Sequence, residues 1–171
     1  MRRIILNVAI TLDGFIEGPN GEIDWCFTDQ DYGMDDFLNR IDTIFFGRKS
    51  YELMLGMEKN PFPDKIKYVF SRSAKSVGEN ARIIGDDVDR AVRKILAKPG
   101  KDVWLFGGSS LAAFFLNDGW IDEMQLSVHP VLLGGGKPLF ELINRRVSLK
   151  LTDAKSYPTG LVQLFYRLKP N

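Results

Sequence analysis

The chain has 171 residues, of which 44% are hydrophobic and 26% charged, a composition typical of one globular domain rather than of a disordered or fibrous chain. Its 23 Lys and Arg residues balance 22 Asp and Glu residues, which argues against a nucleic-acid binder or an anionic-membrane binder, because both carry a basic excess. Cys26 and His129 are the only cysteine and histidine, so an internal disulfide and a multi-histidine metal site are excluded, and we expect no bound metal.

The amino-terminal stretch MRRIILNVAI only superficially resembles a secretory signal. Its apolar run is interrupted by Asn7, and no small-residue cleavage site follows it. No apolar stretch approaches the roughly 20 residues that a transmembrane helix needs. We therefore expect a cytoplasmic protein with no membrane partner, in which the lone Cys26 and the lone His129 have packing roles.

Hydrophobic patterning predicts strands that alternate with helices along most of the chain. The early strands are short, continuous apolar runs, which are typical of strands covered on both faces. The predicted strands are residues 4–10, 43–46, 67–70, 82–84, 103–106, 123–132, 147–155 and 161–169. The predicted helices are residues 31–40, 49–55, 88–97 and 110–116.

This alternation indicates parallel strands joined by right-handed crossovers, with helices on both faces of the sheet. The turn residues Pro158-Thr159-Gly160 separate the last two strands and indicate an antiparallel hairpin. We therefore predict that residues 1–171 form a single α/β domain, a three-layer αβα sandwich around a mixed, mostly parallel sheet.

Two strand ends carry side chains that suit a phosphate, and ligands of open α/β sheets bind at the carboxyl ends of parallel strands. In FFGRKSYE, residues 45–52, Arg48 and Lys49 stand at the start of a helix, where cations are unfavourable unless an anion binds. In YVFSRS, residues 68–73, Ser71 and Arg72 offer a hydroxyl and a guanidinium. An exposed helix end and a polar turn are the respective alternatives.

The stretch VWLFGGSSLAAFFL, residues 103–116, is the third such strand end. Gly107 and Gly108 permit close approach to the backbone, and Ser109 is predicted to be the N-cap of the next helix. Such a junction suits an anion, and a tight turn without a ligand is the alternative. Together the three strand ends predict a site for a phosphate-rich ligand. Neither a P-loop motif nor a G-x-G-x-x-G after the first strand is present, so a P-loop domain and a Rossmann domain are disfavoured.

The order and spacing of these stretches resemble the dihydrofolate reductase fold, and within it the riboflavin-biosynthesis reductases that form the C-terminal domain of bifunctional deaminase-reductases. The resemblance spans nearly the whole chain. It is carried by TLDGFI (11–16), FFGRKSYE, FSRS, WLFGGSSL and PVLLGGGKPLF (130–140). It implies a dihydrofolate reductase-like fold, NADPH as cofactor and a small-molecule substrate.

The resemblance also implies roles for individual residues. Ser71 and Arg72 are expected to hold the adenosine 2′-phosphate and Gly107 to Leu111 to wrap the pyrophosphate. Ala9 and Ile16 are expected to line the nicotinamide site, and residues 13–24 to form a mobile loop over the nicotinamide. The full set implied to bind the cofactor is Ala9, Ile16, Gly47, Arg48, Lys49, Ser50, Ser71, Arg72, Phe106, Gly107, Gly108, Ser109, Ser110 and Leu111.

On the substrate side the chain departs from the folate enzymes. These keep a carboxylate one helical turn before a phenylalanine, and if Phe37 is that phenylalanine the matching residue is Gly33. Riboflavin-type reductases often carry a glutamate where this chain has Phe106. No proton donor is therefore assigned.

We expect the substrate pocket to be framed by Asp13, Trp25, Phe37 and Ser127. For Asp13 the alternative is a structural role in the turn into Gly14. Two functions remain open: an NADPH-dependent reductase of a small pyrimidine- or pterin-like heterocycle, and a catalytically silent NADPH-binding or sensor module. The resemblance implies a homodimer. The apolar residues Leu161, Phe165 and Trp120-Ile121 also indicate association.

Overall fold

A computed structural model describes residues 1–57 and 59–168 of the chain. The helices are α1 (Met34–Arg40), α2 (Arg48–Leu55), α3 (Val88–Leu96) and α4 (Ser109–Asn117). The strands are β1 (Ile4–Thr11), β2 (Phe15–Glu17), β3 (Ile41–Gly47), β4 (Ile66–Phe70), β5 (Ala81–Ile84), β6 (Asp102–Gly107), β7 (Glu123–His129), β8 (Lys137–Pro138), β9 (Leu149–Ser156) and β10 (Val162–Leu168).

Eight strands form one twisted sheet in the order β5-β4-β3-β6-β1-β7-β10-β9, and β2 pairs with β8 in a small second sheet. The six strands from β5 to β7 in this order are parallel to one another, whereas β10 is antiparallel to both β7 and β9. The predicted α/β class, with a mostly parallel sheet and an antiparallel C-terminal hairpin, is therefore confirmed.

The two faces of the sheet carry separate hydrophobic cores, because successive side chains of a strand point to opposite faces. On one face Ile5 packs with Phe37 of α1 and with Tyr51 of α2. On the other face Leu6 packs with Val92 of α3 and with Phe115 of α4. Helices therefore cover both faces, as the predicted three-layer sandwich requires.

Several predicted boundaries differ from the structure. Helix α1 begins at Met34 rather than at residue 31, because the Asp31 carboxylate accepts the backbone N–H groups of Gly33 and Asp35 (2.8 and 3.0 Å) in a capping turn. Strand β7 ends at His129, directly before Pro130, which has no N–H to continue the ladder. Lys169, the predicted end of the last strand, lies outside the described residues.

The two strands of the small sheet were not predicted, because they have only three and two residues and no periodicity of their own. No helix in the described part of the chain is long and apolar enough to cross a membrane. Among the same residues, no cluster of His, Cys, Asp and Glu has the arrangement of a metal site.

Candidate functional site

A cavity of about 580 Å³, here named the strand-end cleft, opens at the carboxyl ends of β3 and β6. Nine of the fourteen residues predicted to bind a cofactor line it: Ile16, Gly47, Arg48, Lys49, Ser50, Gly108, Ser109, Ser110 and Leu111. Six further lining residues were not predicted: Glu17, Gly21, Leu53, Phe70, Phe114 and Lys137. The parallel strands bring these distant segments together, because their carboxyl ends share one edge of the sheet.

Two helices begin at this cleft, and neither has a side-chain cap at its N-terminus. Helix α2 follows Gly47 and helix α4 follows Gly108, with no acidic residue in either first turn. By contrast, the first turns of α1 and α3 contain Asp35, Asp36 and Asp89. The first backbone N–H groups of α2 and α4, at the positive ends of the two helix dipoles, are therefore left for an anion.

Glycines allow these two helix starts to meet. A Cβ on Gly47 would lie 3.3 Å from the carbonyl oxygen of Gly107 and 3.5 Å from the nitrogen of Gly108, so the two strand ends touch backbone to backbone. Gly107 has φ of +108°, which strongly favours glycine, and the Gly107–Gly108 peptide bond is cis. The rim of the cleft is thus bare backbone.

The prediction that Ser109 is the N-cap of this helix is wrong. Gly108 is the cap, Ser109 is the first helical residue, and its fully buried hydroxyl donates to Oε1 of Glu141 at 3.0 Å. The next residue, Ser110, is exposed. The glycine is the cap because the backbone at this position approaches Gly47 closely.

Cations exceed carboxylates along the strand-end cleft. Arg48, Lys49 and Lys137 face it, against the single carboxylate of Glu17. The Arg48 guanidinium pairs with Glu52 one turn later, with Nη1 2.8 Å from Oε1. Both side chains of this pair are substantially exposed, so the pairing is weak enough for Arg48 to exchange Glu52 for a ligand.

The small sheet places Lys137 at the cleft. Phe15 pairs with Pro138 and Glu17 pairs with Lys137, which folds the segment after β1 over the cleft. A side chain at Gly136 would collide with the backbone of Glu17, so only glycine permits this pairing. The signal for Lys137 was present in PVLLGGGKPLF, but the sequence did not show which strand this segment would meet.

The other predicted cofactor residues, Ala9, Ser71, Arg72, Phe106 and Gly107, do not line the cleft. Ala9 lies on β1 beside Ser127 of β7, and Gly107 is buried against Gly47. Ser71 and Arg72 directly follow Phe70, which does line the cleft, and Arg72 is exposed. A ligand that extends along the sheet edge from the cleft would reach these two residues next.

Two side chains of this group have structural partners. Phe106 packs in an aromatic cluster, with ring centroids 4.8 Å from Phe46 and 4.9 Å from Trp104. The hydroxyl oxygen of Ser71 accepts the backbone N–H groups of Ser73 and Ala74 at 3.1 and 3.0 Å. Ser71 therefore shapes the turn that presents Arg72.

A second cavity of about 330 Å³, here named the α1 pocket, lies between α1 and the sheet and contains Phe37 and Ser127, two of the four predicted substrate residues. Its floor consists of two rows across β1, β7 and β10. In one row Gln125 pairs with Asn7 and with Phe165; in the next, Ser127 pairs with Gln163 and with Ala9, which does not itself line the pocket. Because Ala9 stands in the second row, the pocket adjoins the place expected for the nicotinamide.

Gln163 ties one wall of the α1 pocket to its floor. Its Oε1 accepts the Tyr157 hydroxyl at 2.8 Å, and its Nε2 donates to the carbonyl oxygen of Tyr32 at 2.9 Å and to Oγ of Ser127 at 3.3 Å. The rings of Tyr32 and Tyr157 meet edge to face at 4.8 Å. This network was missed from the sequence, because Tyr32 lies more than 100 positions from both Tyr157 and Gln163.

Asp13 lies outside the α1 pocket and fixes the backbone of two loops. Its carboxylate accepts the Thr11 hydroxyl at 2.6 Å and the backbone N–H groups of Leu133 and Gly134 at 3.3 and 2.8 Å. The Thr11 hydrogen bond, followed by the two backbone N–H groups, lowers the pKa of this exposed carboxyl. These contacts support the structural role that the sequence left as the alternative.

Trp25 also lies outside the α1 pocket, with its ring edge-on to His129 at 5.2 Å. Its indole Nε1 is buried and has no hydrogen-bond partner in the part of the chain that the structure describes. The neighbouring Cys26 is half-buried, and burial together with the charge of Asp24 raises the pKa of its thiol to about 11. Cys26 is therefore unsuited to be a nucleophile.

His129 holds the segment that carries Trp25. Its Nε2 accepts the backbone N–H of Phe27 at 3.1 Å, so the ring proton resides on Nδ1 and is donated to the carbonyl oxygen of Ser127 at 3.0 Å. The side chain is 3% exposed, and desolvation lowers the pKa of the imidazole below 6.5. Protonation would remove the acceptor for the Phe27 N–H.

We expect His129 to make the protein less stable in mild acid. Since its folded pKa is lowered, its contribution is complete above the unfolded pKa of 6.5 and is lost as the pH falls from there through the folded pKa. Urea unfolding at about pH 7.5 and about pH 5.5 should show this loss in the wild-type protein. His129→Gln keeps a hydrogen-bond donor and an acceptor but does not titrate. Its free energy of unfolding should therefore fall much less between the two pH values. Equal losses in both proteins would contradict this role.

The sequence matches the family described as the RibD C-terminal domain over residues 2–163. Over 96% of the chain it is 49% identical to the uncharacterized protein YyaP of Bacillus subtilis (strain 168), and the match covers 94% of that protein. A protein of Shewanella sp. PV-4 named for riboflavin biosynthesis shares 25% identity and superposes with a TM-score of 0.88, with coverage of 99% of this chain and 100% of that one.

A second similar structure shows the fold alone. The diaminohydroxyphosphoribosylaminopyrimidine deaminase/5-amino-6-(5-phosphoribosylamino)uracil reductase of Thermotoga maritima is 17% identical, with a TM-score of 0.77. The match covers 98% of this chain and 57% of that one. The sequence match and the shared fold agree on one family, and they confirm the resemblance inferred from the order of the strand-end motifs. The chain therefore belongs to the RibD C-terminal domain family.

Proposed function

We propose that the protein is an NADPH-dependent reductase of a small pyrimidine- or pterin-like heterocycle. The observation that carries the proposal is the pair of helix N-termini without acidic or capping side chains at the strand-end cleft, together with a separate pocket whose floor carries neutral polar side chains. The family membership supports the reductase part, and the Thermotoga neighbour is named for the reduction of an aminouracil.

The residues present fit a dinucleotide with several phosphates. Two helix N-termini and the cations Arg48, Lys49 and Lys137 offer an anion site, and the glycine rim admits a pyrophosphate to bare backbone. Arg72 follows β4, the strand beside β3, and is placed at the same sheet edge for the 2′-phosphate that distinguishes NADPH from NADH.

When bound, NADPH supplies a hydride from the nicotinamide ring. The chain's own part is to hold the substrate against it. Ala9 has a small side chain that leaves room for a flat ring, and Ser127 and Gln163 stand in the same row to orient the substrate. Helix α1 and the network of Tyr32 and Tyr157 cover the opposite side.

Turnover of folates is expected to be poor. Gly33 precedes α1 at the position where the folate enzymes hold a carboxylate, and Asp31 nearby is engaged by the backbone of Gly33 and Asp35. NADPH oxidation should therefore be measurable with a ribosylated aminopyrimidinone and near background with dihydrofolate. Brisk, methotrexate-sensitive turnover of dihydrofolate would contradict the assignment. Tight NADPH binding without turnover of pyrimidines or pterins would instead favour a silent sensor module.

We also propose a homodimer, as the resemblance implies, although two of the apolar residues that indicated association from the sequence do not carry it. Leu161 and Ile121 are 1% and 3% exposed and are covered within the monomer. The open surface is the edge strand β9, in which all eight residues are exposed, including Leu149 and Leu151. Exposed apolar edge strands are normally covered. Sedimentation at micromolar protein should show a dimer, and a concentration-independent monomer would refute it.

A further inference from the structure

The charges of the α1 pocket point to a property of the substrate. We propose, resting on the proposed function, that this pocket takes a heterocycle without a phosphate group, in contrast to the phosphoribosyl compound for which the Thermotoga neighbour is named. Three observations support this: carboxylates outnumber cations around the pocket, the cations already interact with other side chains, and the floor carries neutral polar groups.

Carboxylates outnumber cations around the pocket. Asp31, Asp36 and Asp153 line it, against Arg40 and Lys155. A phosphate dianion in this space would meet three like charges, which disfavours it at short range even with solvent screening.

Arg40 already forms ion pairs with two carboxylates. Its Nε lies 2.9 Å from Oδ2 of Asp102, and its Nη2 lies 2.8 Å from Oε2 of Glu123. These two acids do not line the pocket, but their negative charges offset the positive charge that Arg40 brings to it. To bind a phosphate, Arg40 would have to give up two charge-assisted contacts, one to Asp102 and one to the largely buried Glu123, which would keep Arg3 as a partner at 2.7 Å.

Lys155 is the remaining cation, and acidic and aromatic groups surround it. Its Nζ lies 4.7 Å from the centre of the Tyr157 ring. Hydrogen bonding to Tyr157, followed by the charges of Asp153 and Asp31, raises the pKa of this exposed lysine. A single lysine among these carboxylates gives no net positive field in which a dianion would be held.

The floor, in turn, suits a neutral ring. The side chains of Asn7, Gln125 and Ser127 are half-buried on the sheet. Amide and hydroxyl groups pair with the alternating C=O and N–H groups of a pyrimidinone edge, which needs both donors and acceptors. The strand-end cleft has the opposite character, with three cations, of which Arg48 is paired with the exposed Glu52, against one lining carboxylate. The two cavities therefore separate the phosphates of a cofactor from an uncharged substrate.

The test compares a matched pair of probes on the 171-residue chain. Calorimetric titration with 5-amino-6-(5-phosphoribosylamino)uracil and with the same compound lacking its phosphate should show at least about tenfold tighter binding of the phosphate-free probe. The preference should narrow as salt is added, because salt screens the repulsion. Equal or tighter binding of the phosphorylated probe, or binding of neither probe, overturns the proposal.

A double variant tests the carboxylates directly. Asp36→Asn with Asp153→Asn should shrink the preference at least about threefold by improving the affinity for the phosphorylated probe. Asp31 stays unchanged because it caps the turn before α1. Asp118→Asn removes an exposed carboxylate outside the pocket and is the matched control. An equal effect of the control, or no effect of the double variant, also overturns the proposal.

A separate titration with NADPH keeps the two conclusions apart. If NADPH does not bind, the proposed reductase function fails, while the preference between the two probes is still read from their own titrations. If NADPH binds and is oxidised with the phosphorylated probe in preference to the phosphate-free one, the reductase function stands and the substrate inference fails.

Discussion

Arg72→Ala is expected to weaken NADPH binding by about 1.5–3 kcal/mol, roughly 10- to 150-fold, the range of hydrogen bonds to charged groups. Arg72 is exposed directly after β4, where the turn shaped by Ser71 presents its guanidinium at the sheet edge beside the strand-end cleft. A guanidinium pairs well with a 2′-phosphate dianion. NADH lacks that phosphate, so its affinity should change little.

Calorimetry or fluorescence titration with both cofactors measures this difference. Arg146→Ala is the matched control, because it removes an exposed arginine that lines a cavity with Arg3 and Glu123, at the amino-terminal edge of the sheet. It should leave both affinities unchanged. Equal losses for NADPH and NADH in the Arg72 variant would show that this residue acts through the fold and not through the 2′-phosphate.

Gly107→Ala should lower the affinity for NADPH at least about tenfold and destabilise the fold by about 1–3 kcal/mol, the cost of a non-glycine residue in such a conformation. Gly107 has φ of +108°, and no atom lies within 4 Å of a Cβ built there, so the cost is conformational and not steric. Relaxing that strain would move the backbone at the start of α4 away from Gly47. The N–H groups of the glycine rim would then be misplaced.

The control for this variant is Gly119→Ala. Gly119 has φ of +73° at the end of α4, remote from the cleft, and its nearest neighbour is Nη2 of Arg145 at 3.5 Å from a Cβ. We expect a loss of unfolding free energy in urea with unchanged NADPH affinity. Should the two variants lose affinity to the same extent, the Gly107 effect would reflect general instability.

The sequence by itself determined the architecture and one edge of the site. Short apolar runs alternating with amphipathic segments predict a covered parallel sheet, because each pattern depends only on neighbouring residues. The strand ends at Gly47 and Gly108 were then placed together by a general rule, since parallel strands share one carboxyl edge. Nine predicted cofactor residues line the strand-end cleft for this reason.

Only the tertiary structure decided the substrate side and the loops that surround both cavities. Lys137 reaches the cleft through a pairing of β2 with β8 that is too short to leave a pattern, and Gln163 meets Tyr32 across 131 positions. Asp13 precedes a glycine in a turn, yet its partners at residues 133 and 134 make it a clamp between loops. Such contacts depend on strand register and loop packing, which arise from the whole fold. Local sequence periodicity therefore does not predict these contacts.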